Sequence, residues 1–142
     1  MEGWSGFDPT KGVGEMKRIC SAVHQGLSVL ILIGVIVEFF LAGTGIFHAT
    51  TFQIHRVTGV LLWAGSALLI LFALMGRTGR KTIGFSVLLF VLLFIQPLLL
   101  QINQPFVEAL HPLNALAIMA TSAYLVRLKG LRTQDKGVKH MG

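Results

Sequence analysis

A single cysteine, Cys20, stands in a chain of 142 residues. It rules out an intramolecular disulfide and any cluster that needs several thiolates. Acids are scarce as well: six Asp and Glu, with charged residues making up 13% of the chain. What little charge there is avoids long stretches. Residues 57–75, "VTGVLLWAGSALLILFALM", carry none over nineteen positions, and residues 83–100, "IGFSVLLFVLLFIQPLLL", none over eighteen. Each run is long enough to cross a hydrocarbon core of about 30 Å as a helix. A first span lies near 22–42, interrupted only by Glu38, and a fourth runs from about 106 to 126. A mean hydropathy of +0.74 excludes an ordinary water-soluble domain. With no water in the bilayer to satisfy the backbone, such spans must be helices, so the fold class is all-α. Residues 1–20 are long and polar and no clear cleavage site follows the first span, which is therefore read as retained rather than as a signal peptide.

Basic residues are present in excess, giving a formal net charge of +6. Their distribution excludes nucleic acid as the partner. Lys11, Lys17 and Arg18 precede the first span; Arg77, Arg80 and Lys81 separate the second from the third; Arg127, Lys129, Arg132, Lys136 and Lys139 follow the fourth. With four spans these three segments share one side of the membrane, which the positive-inside rule makes the cytoplasm. Only Arg56 falls on the other side. The connections are short, ending with the minimal turn "NQP", and short connections make consecutive helices antiparallel neighbours. The predicted architecture is an integral-membrane up-down-up-down four-helix bundle with both termini cytoplasmic. It comprises an N-terminal segment (1–20), the bundle (21–128) and a basic tail (129–142). Trp4 and Phe7 are placed in the headgroup layer. The glycines of "AGTG" are expected to stop the first helix. Pro97 and Pro112 are expected to kink theirs, freeing the carbonyls of Leu93 and Glu108.

Histidines stand at 24, 48, 55, 111 and 140. His24 lies in the first turns of the first span, His48 in an outer loop and His140 in the tail. His55 and His111 open the second and fourth helices. Those helices run the same way, so the two imidazoles share a depth near the outer leaflet and can face each other across the bundle, the arrangement of a bis-histidine haem. Gly59 and Ala115 each follow four residues later on the same face, where a flat macrocycle needs small neighbours and where close helix packing needs them too. Arg56 suits either a propionate or a lipid phosphate. Gln53 and Glu108 are candidates to orient the histidine rings. Glu38, the one acid inside a span, is placed to approach Arg56 or His55. Gln96, Gln101 and Asn114 are polar groups that can hold helices together. The residues alone leave three readings open: a haem ligand pair, interfacial histidines, or a zinc or copper site built from His48, His55 and His111.

"QIHRVTGVLLW" at the second helix and "LHPLNALAIM" at the fourth resemble one four-helix half of the haem A synthase family, over roughly residues 20–128. "ALHPLNAL" is also similar to a group of small, largely uncharacterised four-helix bacterial membrane proteins. By position the resemblance implies a haem bracketed by His55, with Arg56 beside it, and by His111. It also implies a bacterial cytoplasmic membrane. Haem A synthases have two such halves and this chain has one, Gln53 stands where those enzymes often carry an acid, and a second histidine pair is missing.

The expected function is a small integral-membrane b-type cytochrome, with haem b between His55 and His111 and electron transfer as its task. One haem near one leaflet does not span the membrane electrically, so a quinone or a redox partner protein is implied. A homodimer could supply a second half. Two other functions remain open: an accessory or scaffold subunit of a membrane complex, and a haem-modifying or haem-handling protein.

Overall fold

The computed structural model describes residues 9–139, with side chains over 12–128. Trp4, Phe7 and His140 lie outside the described residues. Five helices follow one another: α1 (Pro9–Ile46), α2 (Gln53–Met75), α3 (Arg80–Leu98), the single turn α4 (Pro105–Glu108) and α5 (Leu110–Lys139). No strand occurs among the described residues. Four segments are long and apolar enough to cross a membrane: Gly12–Ile46, Gln53–Met75, Arg80–Leu98 and Pro105–Leu128. The chain is a multi-pass membrane protein.

The helices close a ring in which α1 packs on α2, α2 on α3, α3 on α5, and α5 back on α1. Thus α2 and α5 lie on one diagonal and α1 and α3 on the other. The interior holds Ile31, Val35, Leu62, Leu69, Leu89, Leu93, Ile118 and Leu125. In lipid, burial of apolar surface does not itself hold helices together, because acyl chains are as apolar as leucine. Close packing and interhelical hydrogen bonds do so instead. Each long helix accordingly supplies one serine to the interior: Ser28, Ser66, Ser86 and Ser122 are all buried. Each donates its hydroxyl proton to a carbonyl of its own helix, at His24, Trp63, Thr82 and Ile118 respectively. They are therefore small and already satisfied, which is what a close approach requires. Beside this layer the buried His24 reaches from α1 to the hydroxyl of Ser86 on α3, 3.2 Å away. This contact ties the α1–α3 diagonal.

The helix ends differ from the sequence reading in instructive ways. Gly43 and Gly45 do not stop α1, which continues to Ile46. A glycine costs an interior turn only about 1 kcal/mol, too little to end a long packed helix. The stop is His48, at φ 57°. Its N–H donates to the Gly45 carbonyl and that of Ala49 to the Thr44 carbonyl, a left-handed C-terminal cap. The same device ends α2, with Arg77 at φ 46°, Arg77 N–H on Leu74 and Thr78 N–H on Ala73. Gly45 has another role: a Cβ there would lie 2.5 Å from the Phe52 ring, so its absence seats that ring against α1.

Pro97 is the penultimate residue of α3. The fourth span is interrupted at Ala109, next to Glu108, whose carbonyl Pro112 leaves without its regular N–H donor, as the sequence leads one to expect. At the other end α5 runs on to Lys139, past the bundle boundary at 128. Leu, Arg, Lys and Gln are good helix formers, and no proline interrupts them.

At the basic end of the bundle, Gly76 brings the α2–α3 turn onto α1. A Cβ on Gly76 would meet the Ser21 backbone nitrogen and the Phe72 carbonyl oxygen at 2.9 Å. Backbone cannot swing aside as a side chain can. Gly76→Val is expected to destabilise the bundle by about 1–3 kcal/mol, seen as a lowered thermal midpoint of the detergent-solubilised protein by circular dichroism.

Candidate functional site

The end of the bundle opposite the basic turns gathers most of the remaining interior polar groups. His55 lies in the first turn of α2, and its Nδ1 is 2.5 Å from Oε2 of Glu38, on α1. Nδ1 has no aligned hydrogen-bond partner, so this is a close contact rather than a hydrogen bond. The other carboxylate oxygen, Oε1, is buried with no hydrogen-bond partner. Of the two partners foreseen for Glu38, His55 is the one it meets. Phe52 sets its ring edge-on to His55, with centroids 6.3 Å apart and planes at 72°. Gly59 lies one turn deeper, where an added Cβ would be 3.9 Å from Glu38 Oε2. Only a hydrogen separates the helix from the carboxylate at that point.

His111 opens α5 on the opposite diagonal corner. Its Nδ1 is 3.0 Å from the backbone carbonyl oxygen of Gln96. A carbonyl can only accept, so Nδ1 carries the proton and, in the neutral ring, Nε2 keeps the lone pair. Gln96 can offer that oxygen because α3 is ending. Leu100 N–H, its regular partner four residues on, bonds Pro97 instead. Gln96 returns the contact, its Nε2 donating to the His111 carbonyl at 3.1 Å. Asn114, one turn into α5, donates to the Leu92 carbonyl at 2.9 Å and to Gln96 Oε1 at 2.5 Å. Four hydrogen bonds thus fix α5 to α3 around the His111 ring.

The two imidazoles therefore share a design. His111 Nδ1 hydrogen-bonds a carbonyl and His55 Nδ1 lies in close contact with a carboxylate oxygen, each from a neighbouring helix, and neither Nε2 has a hydrogen-bonding partner among the described residues. In a histidine ligand, the second nitrogen is commonly held in this way by a carboxylate or a carbonyl.

The other expected site residues are placed as follows. Arg56 is exposed and forms no ion pair among the described residues. Ala115 is half-buried on α5, one turn below His111. Gln53 and Gln101 are exposed. Glu108 does not orient His111, because the α4–α5 break intervenes and the Gln96 carbonyl takes that place. His48 is exposed at the end of α1, and the described residues hold no group of three His, Cys, Asp or Glu able to bind a metal. The three-histidine zinc or copper site is not formed there. The residue the sequence undervalued is Gln96. Its side chain links α3 to α5 as expected, and its carbonyl in addition accepts from His111 Nδ1, a contact for which the only signal was a glutamine directly before Pro97.

The polar bridge gives a measurable expectation. Asn114→Leu removes two interhelical hydrogen bonds, each worth about 0.6 kcal/mol on average in a bilayer, and leaves Gln96 Oε1 without its donor. A loss of about 1–2 kcal/mol in unfolding free energy is expected in a denaturant titration of the micellar protein.

Residues 38–102 match a family of unknown function, DUF6220. The match covers somewhat less than half of the chain. It begins at Glu38, takes in His55, Gly59 and Gln96, and ends before His111 and Asn114. Neither a curated protein nor a solved structure matches the chain.

Proposed function

We propose that the protein is a small b-type cytochrome of the membrane, holding one haem between Nε2 of His55 and Nε2 of His111. The observation that carries this reading is the matched preparation of the two rings. Both sit at one end of the bundle on diagonal helices, each with Nδ1 against an oxygen of a neighbouring helix and Nε2 unengaged. The buried, unpartnered Oε1 of Glu38 beside His55 is a polar atom that a bound group could satisfy. Haem b would supply one-electron redox chemistry there. With His55 and His111 both holding it, the haem would have no position left for oxygen, which would favour electron transfer over oxygen binding.

The chain's own residues have defined tasks in this reading. Glu38 keeps the His55 ring in position from α1, and the Gln96 carbonyl fixes the tautomer of His111 from α3. Arg56, exposed and without a carboxylate partner, is available to a propionate. With the basic segments on the cytoplasmic side, the site belongs near the outer leaflet of a bacterial cytoplasmic membrane. A quinone or a redox protein reaching that leaflet serves as partner.

Titrating haemin into the apo-protein tests the reading. Saturation at one haem per chain, with a sharpened α band after dithionite, is the expected result. Weak, non-saturating uptake with a high-spin spectrum contradicts it.

A further inference from the structure

At the basic end, α1 extends well beyond what a bilayer needs. Its 38 residues measure about 57 Å, against a hydrocarbon core of about 30 Å. Gly76 is pressed against the backbone of Ser21, so the α2–α3 turn and the stretch of α1 just before Ser21 lie at one level. Between them is an open cleft of about 550 Å³, lined by Glu15, Lys17, Arg18, Ile19 and Ala22 of α1 and by Gly76. Arg77, Arg80 and Lys81 follow Gly76 in the chain, on the turn and the start of α3. None of these five basic side chains has a carboxylate partner among the described residues, and none is buried. Glu15 is the one acid in the lining, and it too forms no ion pair there. A cleft at the level where hydrocarbon gives way to water, walled by unneutralised cations, is complementary to a phosphodiester.

From this juxtaposition we infer that the cleft between α1 and the α2–α3 turn binds the headgroup of one anionic phospholipid. Lys17 and Arg18 hold the phosphate. Glu15 can accept a hydrogen bond from a headgroup hydroxyl, and the excess of cations over this one acid favours a headgroup that keeps a net negative charge. Ile19 and Ala22 face the acyl chain as it passes toward the membrane interior. The site is independent of the haem reading, since it lies at the other end of the bundle.

Native mass spectrometry of the detergent-purified chain, with palmitoyl-oleoyl phosphatidylglycerol, phosphatidylethanolamine or phosphatidylcholine added at equal concentration, tests the proposal. One phosphatidylglycerol per chain should be retained in preference to the other two. K17Q/R18Q should lower its retention about thirtyfold, given roughly 1 kcal/mol for each basic residue. Arg127→Gln, which removes a cation outside the cleft, should leave retention unchanged. Ala22→Leu narrows the cleft without altering charge and should also weaken retention. Equal retention of the three lipids, or an equal effect of Arg127→Gln, would overturn the assignment. So would displacement of the lipid by millimolar inorganic phosphate, which would make the cleft a site for free phosphate.

Discussion

His55→Ala and His111→Ala, each purified from haem-replete cells, should lack the sharp α band that the parent shows on reduction. Loss should be complete in either variant, because low-spin iron requires both axial nitrogens. Alanine at 111 also leaves the Gln96 carbonyl without its donor, at a cost of about 1–3 kcal/mol if no water reaches it. Circular dichroism is therefore needed to confirm that the variants remain helical. Methionine variants separate ligation from folding more sharply. His55→Met or His111→Met keeps an axial donor, so low-spin haem should persist with a raised midpoint potential, as methionine–histidine ligation gives. His48→Gly is the control. His48 adopts the left-handed conformation that ends α1, and glycine takes that conformation without strain, so haem content should not change. A low-spin spectrum retained in both alanine variants would remove the ligand assignment.

Glu38→Leu should weaken haem binding by about 10- to 100-fold, the usual effect of removing the group that orients a metal-bound histidine. The substitution strips the carboxylate from His55 Nδ1 and leaves that nitrogen buried among apolar side chains. Glu38→Gln keeps an oxygen that can accept from Nδ1 and should lose much less. This ordering, parent above glutamine above leucine, distinguishes an orienting carboxylate from a merely space-filling side chain. The readout is the dissociation constant from haemin titration, with thermal midpoints measured in parallel. If the leucine variant binds as tightly as the parent, Glu38 has no part in holding the site.

The bundle could be read from the chain because its strongest signals are long and redundant. The charge-free runs at 57–75 and 83–100 leave few alternatives to spanning helices, and α2 and α3 fall close to those bounds. The α2–α5 diagonal followed from short connections alone. Helix ends were less legible, because they depend on individual backbone conformations. Gly43 and Gly45 looked like stops, yet the stop is a histidine with positive φ, a conformation that no residue pattern announces.

The site was legible at the level of its histidines and not of their supports. His55 and His111 could be paired from helix direction and depth. Glu38 could be nominated because an acid in lipid demands a partner. The partner of His111 could not, since a backbone carbonyl carries no residue identity. Its availability depends on where α3 ends relative to Pro97. Glu108 was a reasonable candidate by spacing until the break at Ala109 is seen. His24 was expected near the membrane face; the structure adds that it is buried there and reaches Ser86 on α3.

The central claim is most directly tested by the visible spectrum of the detergent-purified parent protein from haem-replete cells, recorded after air oxidation and again after dithionite. The expected result is a red-shifted Soret band and a sharpened α band on reduction, the signature of low-spin b-type haem. A colourless protein that also takes up no added haemin would contradict the account, leaving His55 and His111 as polar links between helices.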